Sequence, residues 1–133
     1  MDVERLRQLP LFGELDHHDL AQLMHWIREE EIADGALLFE QGSMPYDVFV
    51  IEDGSVEVVR DGKSIATLGP GEIVGERALL KLERRWASVI AVGHVRVVAL
   101  SADDLAEMSE QMPELADRLR ETMSRREREN DTD

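Results

Sequence analysis

Two side chains that could bind one small anionic ligand stand nine residues apart in the middle of the chain. Glu76 directly follows Gly75, and Arg85 comes after a short tract whose residues favour a helix. An arginine together with the free N–H groups of a helix start binds phosphate well. A fixed carboxylate accepts a hydrogen bond from a hydroxyl group. The pattern therefore fits a molecule that presents a phosphate and a hydroxyl side by side.

A ribose that carries a cyclic phosphodiester is such a molecule. Its phosphate stays negatively charged at physiological pH, and its 2′-OH stays free. In this interpretation Gly75 lets the backbone approach the ligand and Glu76 supplies the carboxylate. Ala78 begins a short helix whose N-terminus can face the phosphate, and Arg85 is far enough along the chain to turn back and close the pocket.

Short runs rich in β-branched residues surround this stretch, over residues 31–101. Asp-Gly pairs at 34–35, 53–54 and 61–62 separate several runs, and such pairs favour hairpin turns because glycine tolerates positive φ. The predicted strands are 36–39, 46–51, 55–60, 63–68, 87–91 and 95–100. Many short strands at such spacing indicate an antiparallel barrel or jelly roll.

Helical patterns lie on both sides of these strands. Before them, Asp16 is suited to cap a helix whose apolar stripe is Leu20, Leu23, Met24 and Ile27. After them, Ser101 and Asp104 form a helix-start pair, and Pro113 suits the first position of a second helix with the stripe Leu115, Leu119 and Met123.

The predicted fold is mainly β with flanking helices: a jelly-roll (double-stranded β-helix) barrel with an N-terminal helix and C-terminal lid helices. We predict one domain over residues 1–133, since the length suits a single domain. It comprises an opening helical segment at 1–30, the barrel at 31–101, C-terminal helices at 102–128 and a polar tail at 129–133.

Composition excludes several functions. The formal net charge of −14 opposes binding to nucleic acid or to anionic lipid by this chain alone. The chain has no cysteine, so disulfides and thiolate chemistry are excluded, and it has neither a secretory signal nor a membrane-spanning apolar run. We expect a cytoplasmic protein. The four histidines are scattered through the sequence, and we predict no metal site.

The central stretch resembles the phosphate-binding cassette of cyclic nucleotide-binding domains, the family of the catabolite activator protein, the cAMP-dependent kinase regulatory subunit and cyclic nucleotide-gated channels. The family pattern is roughly Phe-Gly-Glu-x-Ala-Leu, a short turn, and Arg-x-Ala-Thr/Ser-Val. This chain matches it at Gly75, Glu76, Ala78, Leu79, Arg85, Ala87, Ser88 and Val89. Similar motifs occur at 11–15, 35–42 and 48–56, so the resemblance covers roughly residues 9 to 125.

The resemblance implies a binding module that is not an enzyme and needs no cofactor. Its ligand would be cAMP, or alternatively cGMP. Glu76 would accept from the ribose 2′-OH, Arg85 would pair with the cyclic phosphate, and the N–H groups of Ala78 and Trp86 would complete the phosphate site. The full set of ligand-binding residues implied is Val74, Gly75, Glu76, Arg77, Ala78, Arg85, Trp86 and Ala87. Leu115, Leu119 and Met123 would form a lid over the base.

Three features depart from the family pattern. Trp86 replaces a small residue, Val74 replaces an aromatic one, and the turn at 81–84 lacks Gly and Pro. Trp86 could stack on the base, block the pocket or pack as an ordinary half-buried aromatic. Arg77, Lys81 and Arg84 could add positive potential near the anion site or form a solvated face. The stripe Leu115, Leu119 and Met123 could be ordinary core packing.

These departures leave alternatives for the function. The first hypothesis is a sensor in which ligand binding shifts the C-terminal helices, which an unidentified partner protein or a fused effector then reads. A homodimer through the C-terminal helix is a separate partner expectation. The second is a degenerate module that binds proteins without nucleotide. A small barrel enzyme is the third, and it lacks a base–nucleophile pair or a metal set.

Overall fold

Two short α-helices and one helical turn precede the sheet. In this computed structural model the backbone is described for residues 1–130, and the side chains for the same residues except 78, 79 and 127–130. Helix α1 spans Val3–Arg7, a 3₁₀ turn spans Pro10–Phe12 and helix α2 spans His17–Leu23. The Asp16 carboxylate accepts a hydrogen bond from the Asp19 N–H at 2.8 Å, which confirms Asp16 as an N-cap.

Six antiparallel strands make up the sheet in the part of the chain that the structure describes. They are β1 Ile27–Ile32, β2 Leu37–Phe39, β3 Asp47–Arg60, β4 Lys63–Leu68, β5 Ile73–Val74 and β6 Ser88–Ser101. The order along the main path is β1-β6-β3-β4, while β2 also pairs with β6 and β5 also pairs with β3. The predicted mainly β architecture with flanking helices is confirmed.

Strands β3 and β6 each run for 14 residues where the sequence predicts two separate strands. The Asp53-Gly54 pair, predicted as a hairpin turn, is a bend inside β3, and the pairing with β6 shifts register there. Gly54 has φ +91°, and a Cβ at this position would lie 2.6 Å from the His94 carbonyl oxygen. The two strands stay paired through the bend because their backbones come close enough only without a side chain there.

The Asp61-Gly62 pair forms the predicted hairpin turn. Both residues have positive φ, at +52° and +81°, and Arg60 pairs with Lys63 on either side of them. This conformation is that of a two-residue turn that matches the twist of antiparallel strands.

The predicted boundary between the opening helices and the barrel at 30/31 is wrong, because β1 begins at Ile27. Ile27 continues the helical spacing of the preceding apolar residues, but its backbone pairs with Leu100 in β6. Charged residues occupy the middle of this edge strand. Arg5 in α1 binds the Glu29 carboxylate at 2.7 Å and the Glu52 carboxylate at 2.6 Å, and the Met1 ammonium binds Glu29 at 2.6 Å. We call these four residues the N-terminal ion-pair cluster.

Three helices complete the fold. Helix α3 spans Glu76–Lys81 between β5 and β6, helix α4 spans Ala102–Gln111 and helix α5 spans Pro113–Asn130. The Ser101 hydroxyl accepts from the Asp104 N–H at 3.0 Å and Pro113 starts α5, as predicted. Helix α5 extends two residues beyond the predicted end at 128, and residues 131–133 of the predicted polar tail lie outside the described residues. Every helix within residues 1–130 is too short or too polar to cross a bilayer.

The apolar side chains form two cores. The barrel core lies between the strands and comprises Phe49, Ile51, Val56, Val74, Val89, Ala91, Val95, Val97 and Ala99. The helical core joins α1, the 3₁₀ turn, α2, α4 and α5 to one end of the sheet, and partly buried Leu80 of α3 packs against it. Helix α3 therefore links the segment after β5 to the C-terminal helices.

Candidate functional site

The predicted site is formed by α3 with the residues just before and after it. Strand β5 pairs with β3, which brings Gly75 and the start of α3 to the barrel wall. Leu82 ends the helix with φ +54° and is 84% exposed. A left-handed conformation at a residue other than glycine costs about 1–2 kcal/mol. The chain thus makes the sharp turn after α3 without the glycine that the family pattern favours there.

Arg85 follows this turn, and its guanidinium is buried inside the protein at 4% exposure. Nη1 donates to the Gly75 carbonyl oxygen at 2.8 Å, and Nη2 donates to the carbonyl oxygen of Asp47 at the start of β3. The Phe39 ring lies against the guanidinium, with Cζ 4.0 Å from the ring centroid. Three separate segments of the chain therefore fix one cation.

Burial affects both the pKa and the hydrogen bonding of the Arg85 guanidinium. Burial lowers the pKa of the Arg85 guanidinium from its ordinary value, while the nearby carboxylates of Asp47 and Glu76 oppose that shift. Both hydrogen bonds described for the guanidinium go to neutral carbonyl oxygens. Its Nε is buried and donates to no acceptor among the described residues. An unsatisfied buried donor costs about 1–3 kcal/mol, and an incoming acceptor would remove that cost.

Glu76 is the other charged residue buried at this site, with 6% exposure. It is the first residue of α3, and its carboxylate is close enough to raise the pKa of the Arg85 guanidinium. Glu76 and Arg85, which the sequence analysis predicts to share one site, are therefore brought together. A buried carboxylate and a buried guanidinium in one place can bind a ligand with a hydrogen-bond donor and an anionic group.

Gly75 has a more specific role than the sequence predicts. Its φ is +89°, and a Cβ at this position would lie 2.5 Å from Arg85 Nη1 and 3.1 Å from the Phe39 ring. The sequence predicts that this glycine lets the backbone approach the ligand. In the structure, the missing side chain makes room for the Arg85 guanidinium itself, since a larger residue would occupy its place.

The backbone of Arg85 is held by the loop that follows β2. The Arg85 N–H donates to the Ser43 carbonyl at 2.8 Å, and the Gly42 N–H donates to the Arg85 carbonyl at 2.8 Å. The Arg84 side chain also donates to the Gly42 carbonyl at 3.0 Å, so this side chain supports the loop as well as facing solvent. These bonds fix the position of the Arg85 backbone, from which the side chain extends into the protein.

Trp86 points out of the barrel and is 53% exposed. The Arg60 guanidinium lies over its ring, with Cζ 4.2 Å from the centroid. The indole is therefore neither fully buried nor free, and one of its faces is covered by the β3–β4 hairpin. Ala87, the next residue, is buried just before β6 begins.

The other predicted site residues differ in their surroundings. Val74 packs in the barrel core, where β5 pairs with β3, and its assignment as a ligand-binding residue stays a prediction. Arg77 is exposed and the Ala78 side chain lies outside the described residues. Leu115, Leu119 and Met123 are fully buried in the helical core. That burial fits the packing interpretation of this stripe, and its role as a lid stays a prediction.

Sequence reasoning missed two residues that hold Arg85. Phe39 belongs to a recognised motif, and its aromatic character under a cation is a signal that could have been used. The Asp47 contact runs through its backbone carbonyl, which every residue has, so no residue type could reveal it. No group of three potential metal-ligating side chains forms within the described part of the chain.

The chain is similar to known proteins in sequence and in fold. The cyclic AMP receptor protein of Thermus thermophilus is 29% identical over 92% of this chain and 59% of its own length. A structure from Geobacter metallireducens superposes with a TM-score of 0.83 at 26% identity, covering 95% of both chains. The N-terminal domain of a transcriptional regulator from Streptomyces coelicolor superposes with a TM-score of 0.78 at 33% identity, covering 98% of this chain and 94% of that one.

These similarities confirm the jelly-roll fold. The chain spans 30% to 59% of the length of the first curated relatives that it matches. Residues 29–112 match the family described as the cyclic nucleotide-binding domain. This match includes most of β1, the strands β2 to β6, the α3 segment and both buried charged residues, and it covers more than half of the sequence. The chain therefore belongs to the cyclic nucleotide-binding domain family.

Proposed function

We propose that the chain binds the 3′,5′-cyclic nucleotide cAMP between Arg85 and Glu76. The observation that carries this proposal is the buried Arg85 guanidinium, whose Nε has no acceptor among the described residues and whose pKa is lowered by burial. A phosphate oxygen would supply the missing acceptor, and its negative charge would oppose the effect of burial on the Arg85 pKa. The name of the Thermus relative, a cyclic AMP receptor, supports cAMP as the ligand.

Glu76 completes the recognition. Its buried carboxylate accepts from the ribose 2′-OH, and its electrostatic effect on the buried Arg85 guanidinium fits a ligand whose phosphate and hydroxyl belong to one sugar. The first-turn N–H groups of α3 have no intrahelical acceptors and can contribute to phosphate binding. In this proposal the site binds the nucleotide and releases it unchanged.

Binding is transmitted through α3 to the C-terminal helices. Glu76 begins α3, and Leu80 in the same helix packs against the helical core that contains Leu115, Leu119 and Met123. A ligand that pulls on the start of a six-residue helix therefore also moves a residue in contact with α5. A partner protein or a fused segment reads the new position of α5, which is a population shift between two arrangements.

A second candidate function is a protein-interaction module without a nucleotide ligand. It is favoured by the two backbone carbonyls that already occupy Nη1 and Nη2 of Arg85, and by the large Trp86 next to it. Calorimetric titration of cAMP into the protein, followed in parallel by tryptophan fluorescence, separates the two. Heat of binding supports the sensor, and neither heat nor a fluorescence change at millimolar cAMP supports the interaction module.

Glu76→Gln tests the assignment of the ribose contact. Gln keeps the size of the side chain but loses the charge, so the variant should bind cAMP about 10-fold more weakly, the loss of one charge-assisted hydrogen bond. Its affinity for 2′-deoxy-cAMP should change much less, because that ligand lacks the hydroxyl. Equal losses for the two ligands would contradict the assignment.

A further inference from the structure

The turn between β3 and β4, which we call the hairpin tip (residues 60–62), contacts both sides of the segment that holds Arg85. On one side, Gln41 Nε2 donates to Asp61 Oδ1 and the Asp61 N–H donates to Gln41 Oε1, both at 2.9 Å. On the other side, Arg60 lies over Trp86 at 4.2 Å. The tip thus reaches the residue before Gly42 and the residue after Arg85.

Gln41 is tied directly to the loop that carries the Arg85 backbone. Its own N–H donates to the Ser88 hydroxyl at 2.9 Å, at the start of β6. The next two residues, Gly42 and Ser43, make the two 2.8 Å bonds to the backbone of Arg85. A displacement of Gln41 therefore also moves the Gly42 N–H and the Ser43 carbonyl, the donor and the acceptor that hold the Arg85 backbone.

The hairpin tip is a firm anchor for this loop. Asp61 and Gly62 form a tight two-residue turn between paired strands, so the position of the Asp61 carboxylate is set by β3 and β4. The contact between Gln41 and Asp61 uses the Gln41 side-chain amide both as a donor and as an acceptor. A carboxylate of the same size would keep the acceptor, lose the donor and face the negative charge of Asp61.

We propose that Gln41, held by Asp61, is a positioning residue for the Arg85 site. It does not touch the ligand. It fixes the position of the loop at 41–43. The loop fixes the position of the Arg85 backbone, and the backbone fixes where the guanidinium lies. Where affinity is concerned, this inference rests on the proposed binding of a cyclic nucleotide.

The test compares two variants that lower the net charge equally. Gln41→Glu should accelerate hydrogen exchange of the Gly42 and Arg85 amides about 10-fold in the absence of ligand, because their hydrogen bonds to the carbonyls of Arg85 and Ser43 open more often. It should also weaken cAMP binding by about 3- to 10-fold, the value of about one hydrogen bond. Lys63→Gln, on an exposed residue next to the tip, should change neither quantity.

Adding Asp61→Asn to Gln41→Glu provides the rescue. Asparagine tolerates positive φ, and its amide group restores a donor opposite the new carboxylate. Exchange at the two amides and cAMP affinity should both return towards the wild-type values. Unchanged exchange in Gln41→Glu, or exchange that the second substitution does not restore, would overturn the proposal. If the wild-type protein binds no cAMP, the proposed function fails, and the exchange rates alone still decide the role of Gln41.

Discussion

The N-terminal ion-pair cluster and the Arg85 site both place a guanidinium near two carboxylates, but the two arrangements differ. In the cluster, Arg5 donates directly to the Glu29 and Glu52 carboxylates, and these contacts, that to Glu52 first, raise its pKa. In the site, Arg85 is buried, donates to carbonyl oxygens and has a lowered pKa. The first cation donates to carboxylates of the chain itself, whereas the hydrogen bonds described for the second go to neutral carbonyl oxygens.

This difference separates structural arginines from binding arginines. Arg5 is about one-third exposed, and its ion pairs join α1 to the sheet. Ion pairs at such an exposed position contribute only modestly to the stability of the fold. Arg85 is almost fully buried, where an unneutralised charge is costly, and three segments of the chain maintain it there. A fold that keeps such a cation buried gains when an anion binds, which is the property expected of a ligand site.

The largest expected effect comes from Arg85→Ala. Loss of a charge-assisted contact to phosphate costs about 1.5–3 kcal/mol, so cAMP affinity should fall about 10- to 150-fold. Calorimetry measures the loss, and circular dichroism shows whether the variant folds. Arg85→Lys serves if the alanine variant does not fold, since it keeps the charge but removes the Nε donor and should lose part of the affinity.

Arg5→Gln is the matched control from the other region. It removes a guanidinium and two ion pairs outside the site, so cAMP affinity should stay within about 2-fold of wild type while the melting temperature falls slightly. Equal affinity losses in the Arg5 and Arg85 variants would show that net charge, and not the Arg85 site, determines binding.

A smaller effect is expected from Gly75→Ala. The new Cβ would displace the Arg85 guanidinium, so affinity should fall about 10-fold, the lower end of the range for Arg85→Ala. Gly93→Ala is the control, because Gly93 also has positive φ, at +74°, but nothing lies within 4 Å of its added Cβ. Both variants should lose stability in thermal unfolding because of their positive φ, and Gly75→Ala should lose more because of its close contacts. An equal loss of affinity in both would contradict the close contact between Gly75 and Arg85.

Much of the site is predictable because its motif is local in sequence. Gly75, Glu76 and Arg85 lie within one turn–helix–turn segment, and their spacing alone brings them together. The residues that hold Arg85 come from β2 and β3, at sequence distances of 46 and 38 residues, and a single sequence gives no direct signal for such pairing. Phe39 acts through its ring, and Asp47 acts through a carbonyl that any residue could supply.

The fold errors have a related cause. Ile27 extends a helical pattern, and charged residues fill β1, so only the pairing with β6 and the ion pairs to Arg5 make it a strand. The Asp53-Gly54 pair has the composition of a hairpin turn, yet β3 continues through it because β6 pairs on both sides. In both places tertiary pairing overrides the local pattern, while the alternation and turn residues elsewhere predict the barrel correctly.

The most direct test of the central claim follows the Nε–Hε resonances of the arginines by NMR as cAMP is added. The Arg85 signal, assigned by its loss in Arg85→Lys, should shift to lower field on saturation, because its buried N–H gains a phosphate acceptor. The Arg5 signal, whose Nε already donates to Glu52 at 2.9 Å, should stay in place. An Arg85 signal that remains unchanged at saturating cAMP would contradict the account.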